Sequence, residues 1–281
     1  MTRYCQTRLG RRLSLATNDC GSARPLALVL LAVFVVCIGV GIAGGSYLVR
    51  TYTQIADVEN EHDIVPELPE SSPDAETQDD ADGQKGTVDF EALQEQNPDI
   101  YAWIYIPNTN INYPVCQSAQ SNDYYLSHSA SGEDSEVGAI FSEAQFNHAN
   151  FDDRVTVLYG HNGYADAMFS TLHDYERQEY LDEHARVYIY TPEKVLTYEI
   201  FSTFTAGNRH IMDAFELQSD EGFMTFVSYL MNPDSIDAHV KERAIGVSDK
   251  LLVLSTCGSG VLEAQGRYLV CGVLADEQPT A

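Results

Sequence analysis

The sequence predicts a mostly β protein: one closed or nearly closed barrel of about eight strands with helical insertions, preceded by a single apolar helix near the N-terminus. Three observations predict it. Eight short runs rich in branched and aromatic residues are spread over roughly the last 195 residues, and turn residues separate them. Helical periodicity interrupts that part of the chain only at three short segments. Upstream, Leu26 to Val49 is a stretch of 24 residues without a charge.

That stretch would be roughly 36 Å long as a helix, enough to span a hydrocarbon core of about 30 Å. Residues 1–25 carry Arg3, Arg8, Arg11, Arg12 and Arg24 against Asp19. Positive residues favour the cytoplasmic side, so residues 1–25 are expected inside the cell, 26–49 as a transmembrane signal anchor, and the remainder outside. A cleaved signal with Ala43-Gly44-Gly45 at its small-residue site is the other reading, but the run exceeds the usual apolar region of about 7–15 residues.

Residues 50–86 read as an acidic, disordered stalk. Between Asp57 and Asp82 stand eleven acidic residues and no Lys or Arg, with Pro66, Pro69 and Pro73 interspersed. Such a segment buries too little apolar surface to offset its ordering entropy, and self-repulsion extends it. No core residue is expected from it, so the globular domain is set at 87–281.

Within that domain Val88 to Gln96 reads as a short helix with Thr87 as N-cap, ended by Asn97-Pro98. Strands are expected at 101–106, 111–115, 138–141, 155–159, 187–190, 195–205, 251–254 and 268–274. Met168 to His184 has one apolar helical face. Phe223, Phe226, Val227 and Leu230 recur at i, i+3, i+4 and i+7 behind Ser219-Asp220-Glu221, the pattern of a capped amphipathic helix.

Composition excludes some functions. Lys+Arg is 16 against Asp+Glu 42, which argues against a nucleic-acid partner, since phosphate binding needs a basic face. The six cysteines form no CxxC pair and lack accompanying histidine spacing, so no zinc site and no cofactor are expected. Cys116 and Cys271 lie beside or within strands and read as packing residues.

Candidate chemistry gathers at strand ends. Leu251-Leu-Val-Leu254 leads into Ser255-Thr256-Cys257 and then Gly258-Ser259-Gly260, with Arg267 opening the next strand. Consecutive strands most often lie antiparallel and adjacent, which puts a thiol and a permanent cation on one rim. A cation favours the nucleophilic thiolate and can bind an oxyanion. Alone, such a Cys is more often a small buried hydrophobe than a nucleophile, and such an Arg is usually a solvated strand end. His161 ends the run Val155-Thr-Val-Leu-Tyr159-Gly160, placed to project over a barrel mouth, and makes the third member of a Cys–His–Arg set.

Tyr159-Gly160-His161-Asn162, Leu254-Ser255-Thr256-Cys257 and the Arg ten residues beyond that Cys closely resemble the sortases, membrane-anchored cysteine transpeptidases of the Gram-positive cell surface. The likeness runs from Phe90 to Leu274. Trp103 to Val115, Asn122-Asp-Tyr-Tyr-Leu126, Gly138-Ala-Ile-Phe141 and the helix near Phe223 to Leu230 look specifically like class B. The resemblance implies an eight-stranded sortase-type barrel with Cys257 as nucleophile, His161 as general acid/base and Arg267 as clamp for oxyanion and substrate. It implies that Asn122, Leu126, Tyr159, Ser255 and Thr256 hold the peptide. The implied partners are surface proteins bearing a C-terminal sorting signal, cleaved after Thr, and an amine of the cell wall or a pilin lysine. Hydrolytic release by a cysteine peptidase is the other outcome, although no spacing points to the Asn or Asp orienter such enzymes use. Gly258-Ser259-Gly260 departs from the charged or bulky residue that many class B members carry after the nucleophile.

Overall fold

A computed structural model describes residues 23–60, 64–69, 84–163, 166–257 and 266–280. The basic segment 1–22, most of the acidic stretch and the Gly258-Ser259-Gly260 loop lie outside the described residues, as does the side chain of Cys257. The chain divides into two units, 1–50 and 51–281. Helix α1 (Ala23–Asn60) includes Val29–Arg50, a 22-residue segment of mean hydropathy 2.5, long and apolar enough to cross a membrane.

Eight strands close a ring in the second unit: β3 (Ile100–Tyr105), β4 (Asn112–Cys116), β5 (Ile140–Phe141), β6 (Val155–Tyr159), β7 (Arg186–Tyr190), β8 (Lys194–Ala206), β10 (Leu251–Cys257) and β11 (Arg267–Pro279). Neighbours follow the order β11-β10-β6-β5-β4-β3-β7-β8, and β8 pairs back to β11, so no edge is left open. These are the eight strands expected. The two-residue β9 (His239–Val240), too short and polar to signal in sequence, adds onto β8.

Alternation decides which side of the wall each residue faces. Leu252, Leu254, Leu158, Tyr268 and Val270 pack inward with Ile104, Ile189 and Phe169. Leu251, Val253, Val155, Val157, Leu269, Cys271 and Val273 face outward under helix α5 (Asp220–Met231), which follows the one-turn α4 (Ile211–Ala214). Ser219 caps α5 by accepting a hydrogen bond from Gly222 N at 3.1 Å, and Asp220 and Glu221 complement the positive helix start. Its Phe223, Phe226, Val227 and Leu230 are buried, each stabilising by about 1.5–3 kcal/mol.

Three expectations change. The first helix, α2, runs Phe90–Gln96, and its cap is Asp89, whose carboxylate accepts from Ala92 N at 3.0 Å, because Val88 is buried and remains outside the helix. The segment 168–184 divides into a 3₁₀ helix (Ser170–Glu176) and α3 (Gln178–Glu183), separated by an extended Arg177. Phe169, Leu172 and Tyr175, all buried, recur every three residues, which suits three residues per turn. The third correction concerns the stalk, from which no core residue was expected. A short parallel pair joins β1 (Ile64–Pro66) to β2 (Gln84–Gly86). Just beyond it Leu68, 8% exposed, packs with Val88, Phe90, Trp103, Tyr188 and Tyr190. Tyr190 Oη donates to Glu67 O at 3.0 Å.

Candidate active site

The register of three strands assembles one rim. β10 runs parallel to β6 with Ser255 opposite Tyr159, and Gly160 N donates to Ser255 O at 3.2 Å. Positions 257 and 161, each two residues further on, leave their strands side by side. β11 runs antiparallel to β10 and pairs Arg267 with Cys257 across the ladder. Arg267 also pairs with Ala206, so the turn after β8 departs from the same rim. Strand parity puts Ser255 with Leu251 and Val253, and Arg267 with Leu269 and Cys271.

A groove of about 200 Å³ is lined by His161, Arg267, Asn122, Leu126, Tyr159, Ser255 and Thr256, which brings together all the sequence-predicted site residues whose side chains are described. Ser255 and Thr256 are buried, and Thr256 Oγ1 has no hydrogen-bond partner among the described residues. An unsatisfied buried hydroxyl costs about 1–3 kcal/mol, which an arriving polar ligand can recover. Asn122 is steadied by Gln145, donating to its Oε1 at 3.2 Å and accepting from its backbone N at 3.4 Å.

His161 Nε2–H donates to the carbonyl of Leu126 at 2.8 Å, and His161 O accepts from Phe169 N at 3.1 Å. Leu126 ends a 3₁₀ turn (Tyr124–Leu126), and its side chain is 43% exposed in the groove. Gly138 admits the imidazole, and Gly160 lets its strand pass close to Ile140 and Phe169. A Cβ on Gly138, whose φ is +69°, would stand 2.9 Å from His161 Cδ2, and one on Gly160 would stand 2.5 Å from Ile140 Cδ1.

Tyr159 closes the floor. Burial pushes its phenol well above the usual tyrosine range, the Glu143 carboxylate adds to the rise, and the Arg267 guanidinium opposes it, so the phenol stays protonated. Its Oη lies 3.3 Å from His210 Nε2, and that nitrogen lies 2.7 Å from Glu143 Oε2. Phe146 packs on the His210 ring at 5.0 Å between centroids. Glu143, Arg209 and His210 line the groove and were missed in the sequence, because no local pattern links His210 to a carboxylate 67 residues away. Among the described residues no group of three or more His, Cys, Asp or Glu could hold a metal ion. Cys116 and Cys271 are buried, and burial pushes the Cys271 thiol far above the ordinary range.

A closed eight-stranded barrel carrying a groove at the ends of β6 and β10 is the architecture of one class of cell-surface transpeptidases. The family model described as the Sortase domain matches residues 104–275, and the chain belongs to that family, whose members act on sorting-signal substrates. Its class is that of sortase B. Sortase B of Listeria monocytogenes is 31% identical over 187 residues, covering 65% of this chain and 72% of the relative. Sortase B of Staphylococcus aureus is 27% identical over 181 residues, covering 64% and 72%. Among solved structures, sortase B from Bacillus anthracis shares 31% identity with a TM-score of 0.58, covering 66% of this chain and 83% of that one. A Staphylococcus aureus sortase B–substrate complex shares 27% with a TM-score of 0.58, covering 66% and 84%. Clostridium perfringens sortase B shares 28% with a TM-score of 0.60, covering 67% and 100%.

Proposed function

We propose that this chain cleaves a C-terminal sorting signal after its Thr and joins the new carboxyl group to an amine of the cell wall, with Cys257, His161 and Arg267 as the reacting set. The observation that carries the reading is the register: Cys257 opposite Arg267, with the parallel β6 delivering His161 to the same rim. The Cys257 thiolate attacks the carbonyl carbon after Thr. The resulting oxyanion accepts hydrogen bonds from the Arg267 guanidinium, whose planar fork offers two donors where a Lys offers one charge. Protonated His161 gives its proton to the departing amine, and the tetrahedral adduct collapses to a thioester. An incoming amine then attacks the thioester, His161 takes its proton, and the thiolate leaves. Asn122, Leu126, Tyr159, Ser255 and Thr256 hold the peptide in the groove.

Residues 26–49 anchor the chain in the membrane, with 1–25 cytoplasmic and the catalytic domain outside. Residues 50–86 act as a spacer, part of which packs on the barrel. Enzyme and membrane-held substrate then share one surface.

The test is product mass with candidate sorting-signal peptides. Incubation with peptide and a wall-derived amine should give the amide of the Thr carboxyl, and Cys257→Ala should abolish cleavage while keeping the thermal melt. Cleavage surviving in Cys257→Ala would refute the assignment. A product formed preferentially with a pilin lysine would identify a pilus polymerase, and free acid alone would identify a hydrolase.

A further inference from the structure

Cysteine and serine acyl-transfer enzymes orient the catalytic histidine with a third group, usually a side-chain carboxylate or amide. We propose that in this protein the third group is the backbone carbonyl of Leu126, braced by Tyr125, and that His161 takes and returns its proton at Nδ1. The proposal rests on His161 being the general acid/base.

The tautomer follows from the contact. A carbonyl oxygen only accepts, so the 2.8 Å approach of His161 Nε2 to Leu126 O requires the hydrogen on Nε2. The lone pair of the neutral ring is then at Nδ1. The ring cannot readily turn away from this arrangement. Its Cδ2 lies against Gly138, where an added Cβ would come within 2.9 Å, and Phe169 N holds the His161 carbonyl at 3.1 Å.

The carbonyl itself is fixed by the turn that bears it. Leu126 N donates to Asp123 O at 3.1 Å and Ser127 N to Tyr124 O at 3.2 Å. The buried Tyr125 ties this turn to the start of β3. Its Oη donates to Asp99 Oδ2 at 2.8 Å and accepts from Asn97 Nδ2 at 2.9 Å, while its carbonyl accepts from Ala139 N at 3.0 Å. Asn97 Nδ2 also donates to Ala130 O at 2.7 Å, closing the far end of the same loop. Tyr125 is thus a positioning residue, acting on His161 through one peptide group. A backbone orienter is neutral, so it fixes ring geometry without adding a buried charge beside the thiol.

The direct test is a long-range ¹H–¹⁵N spectrum of the exported domain labelled at histidine. The neutral His161 ring should show the Nε2–H tautomer, and an Nδ1–H tautomer would overturn the proposal. Tyr125→Phe removes the hydroxyl alone and should lower kcat about 10-fold with KM within about two-fold, since sub-ångström misplacement already costs rate. The same variant should give mixed His161 tautomers. Unchanged kcat together with a pure Nε2–H signal would remove Tyr125 from the role. Gly138→Ala, which drives a methyl toward the ring, should lower kcat about 10²-fold, and a wild-type kcat in the folded variant would contradict the ring packing. His161→Ala separates the two readings: if it keeps activity, the acid/base assignment fails whatever the tautomer is.

Discussion

Removing Leu68 tests whether the segment before the barrel is part of the folded domain. Leu68→Ala deletes three carbon atoms from a side chain that is only 8% exposed, in contact with the Phe90, Trp103, Tyr188 and Tyr190 cluster. At about 0.8 kcal/mol per buried CH₂ the transfer loss is about 2 kcal/mol. The cavity contribution should be small, because Leu68 already borders an open groove of about 390 Å³ that the surroundings do not fill. For a domain of this size about 1 kcal/mol corresponds to about 2–4 °C, so Tm should fall by about 4–8 °C. A chain starting at Thr87 loses the same contact plus the Tyr190–Glu67 hydrogen bond, worth about 1 kcal/mol, and should melt lower still. The assay is a thermal melt of chains starting at Glu61 and at Thr87, beside Leu68→Ala in the longer one. Peptide cleavage measured well below Tm should be the same in all three, since the cluster lies over β3 and β7, away from the groove. Melts of all three coinciding within about 1 °C would show that Leu68 contributes nothing and that the domain begins at Thr87 after all.

Arg267→Lys keeps the charge but loses the fork, and kcat/KM should fall by about 10²-fold or more, as for loss of one oxyanion donor; a near-wild-type Lys variant would mean that only charge is needed. Asp152 is held between Lys194 and Lys250, each at 2.9 Å, and its carboxyl is lowered to about 2. Because the folded value is depressed, this stabilisation is present above the unfolded value near 3.8 and is lost as pH falls through about 2. Asp152 is 55% exposed, so screening reduces the effect to about 0.5–1 kcal/mol, and Asp152→Asn should lower Tm by about 1–4 °C at pH 7. Equal penalties at pH 7 and pH 2, read from denaturant melts, would contradict the ion-pair origin. Glu143→Gln weakens the pairing with His210 across the groove floor and should change KM for peptide several-fold while leaving kcat within about two-fold; an unchanged KM would place that pair outside peptide binding.

The number and order of the strands, the capped helix α5 and the position of Cys257, His161 and Arg267 at strand ends were all legible in the sequence. Each depends on local chemistry: the wholly apolar run Leu251–Leu254, the Ser219 cap, glycines after a strand. The tertiary structure decided what depends on segments far apart. That β6 and β10 are parallel neighbours, which brings Tyr159 beside Ser255, is a matter of register in a closed ring, and no local pattern encodes it. Leu68 sits in a stretch whose composition reads as spacer, and it packs only because Trp103 and Tyr190 present an apolar face to it. His210 and Glu143 meet across the groove although neither stands out locally. The contact between His161 and Leu126 was the least visible, because every residue carries the same carbonyl, and only the fold selects the one that faces an imidazole.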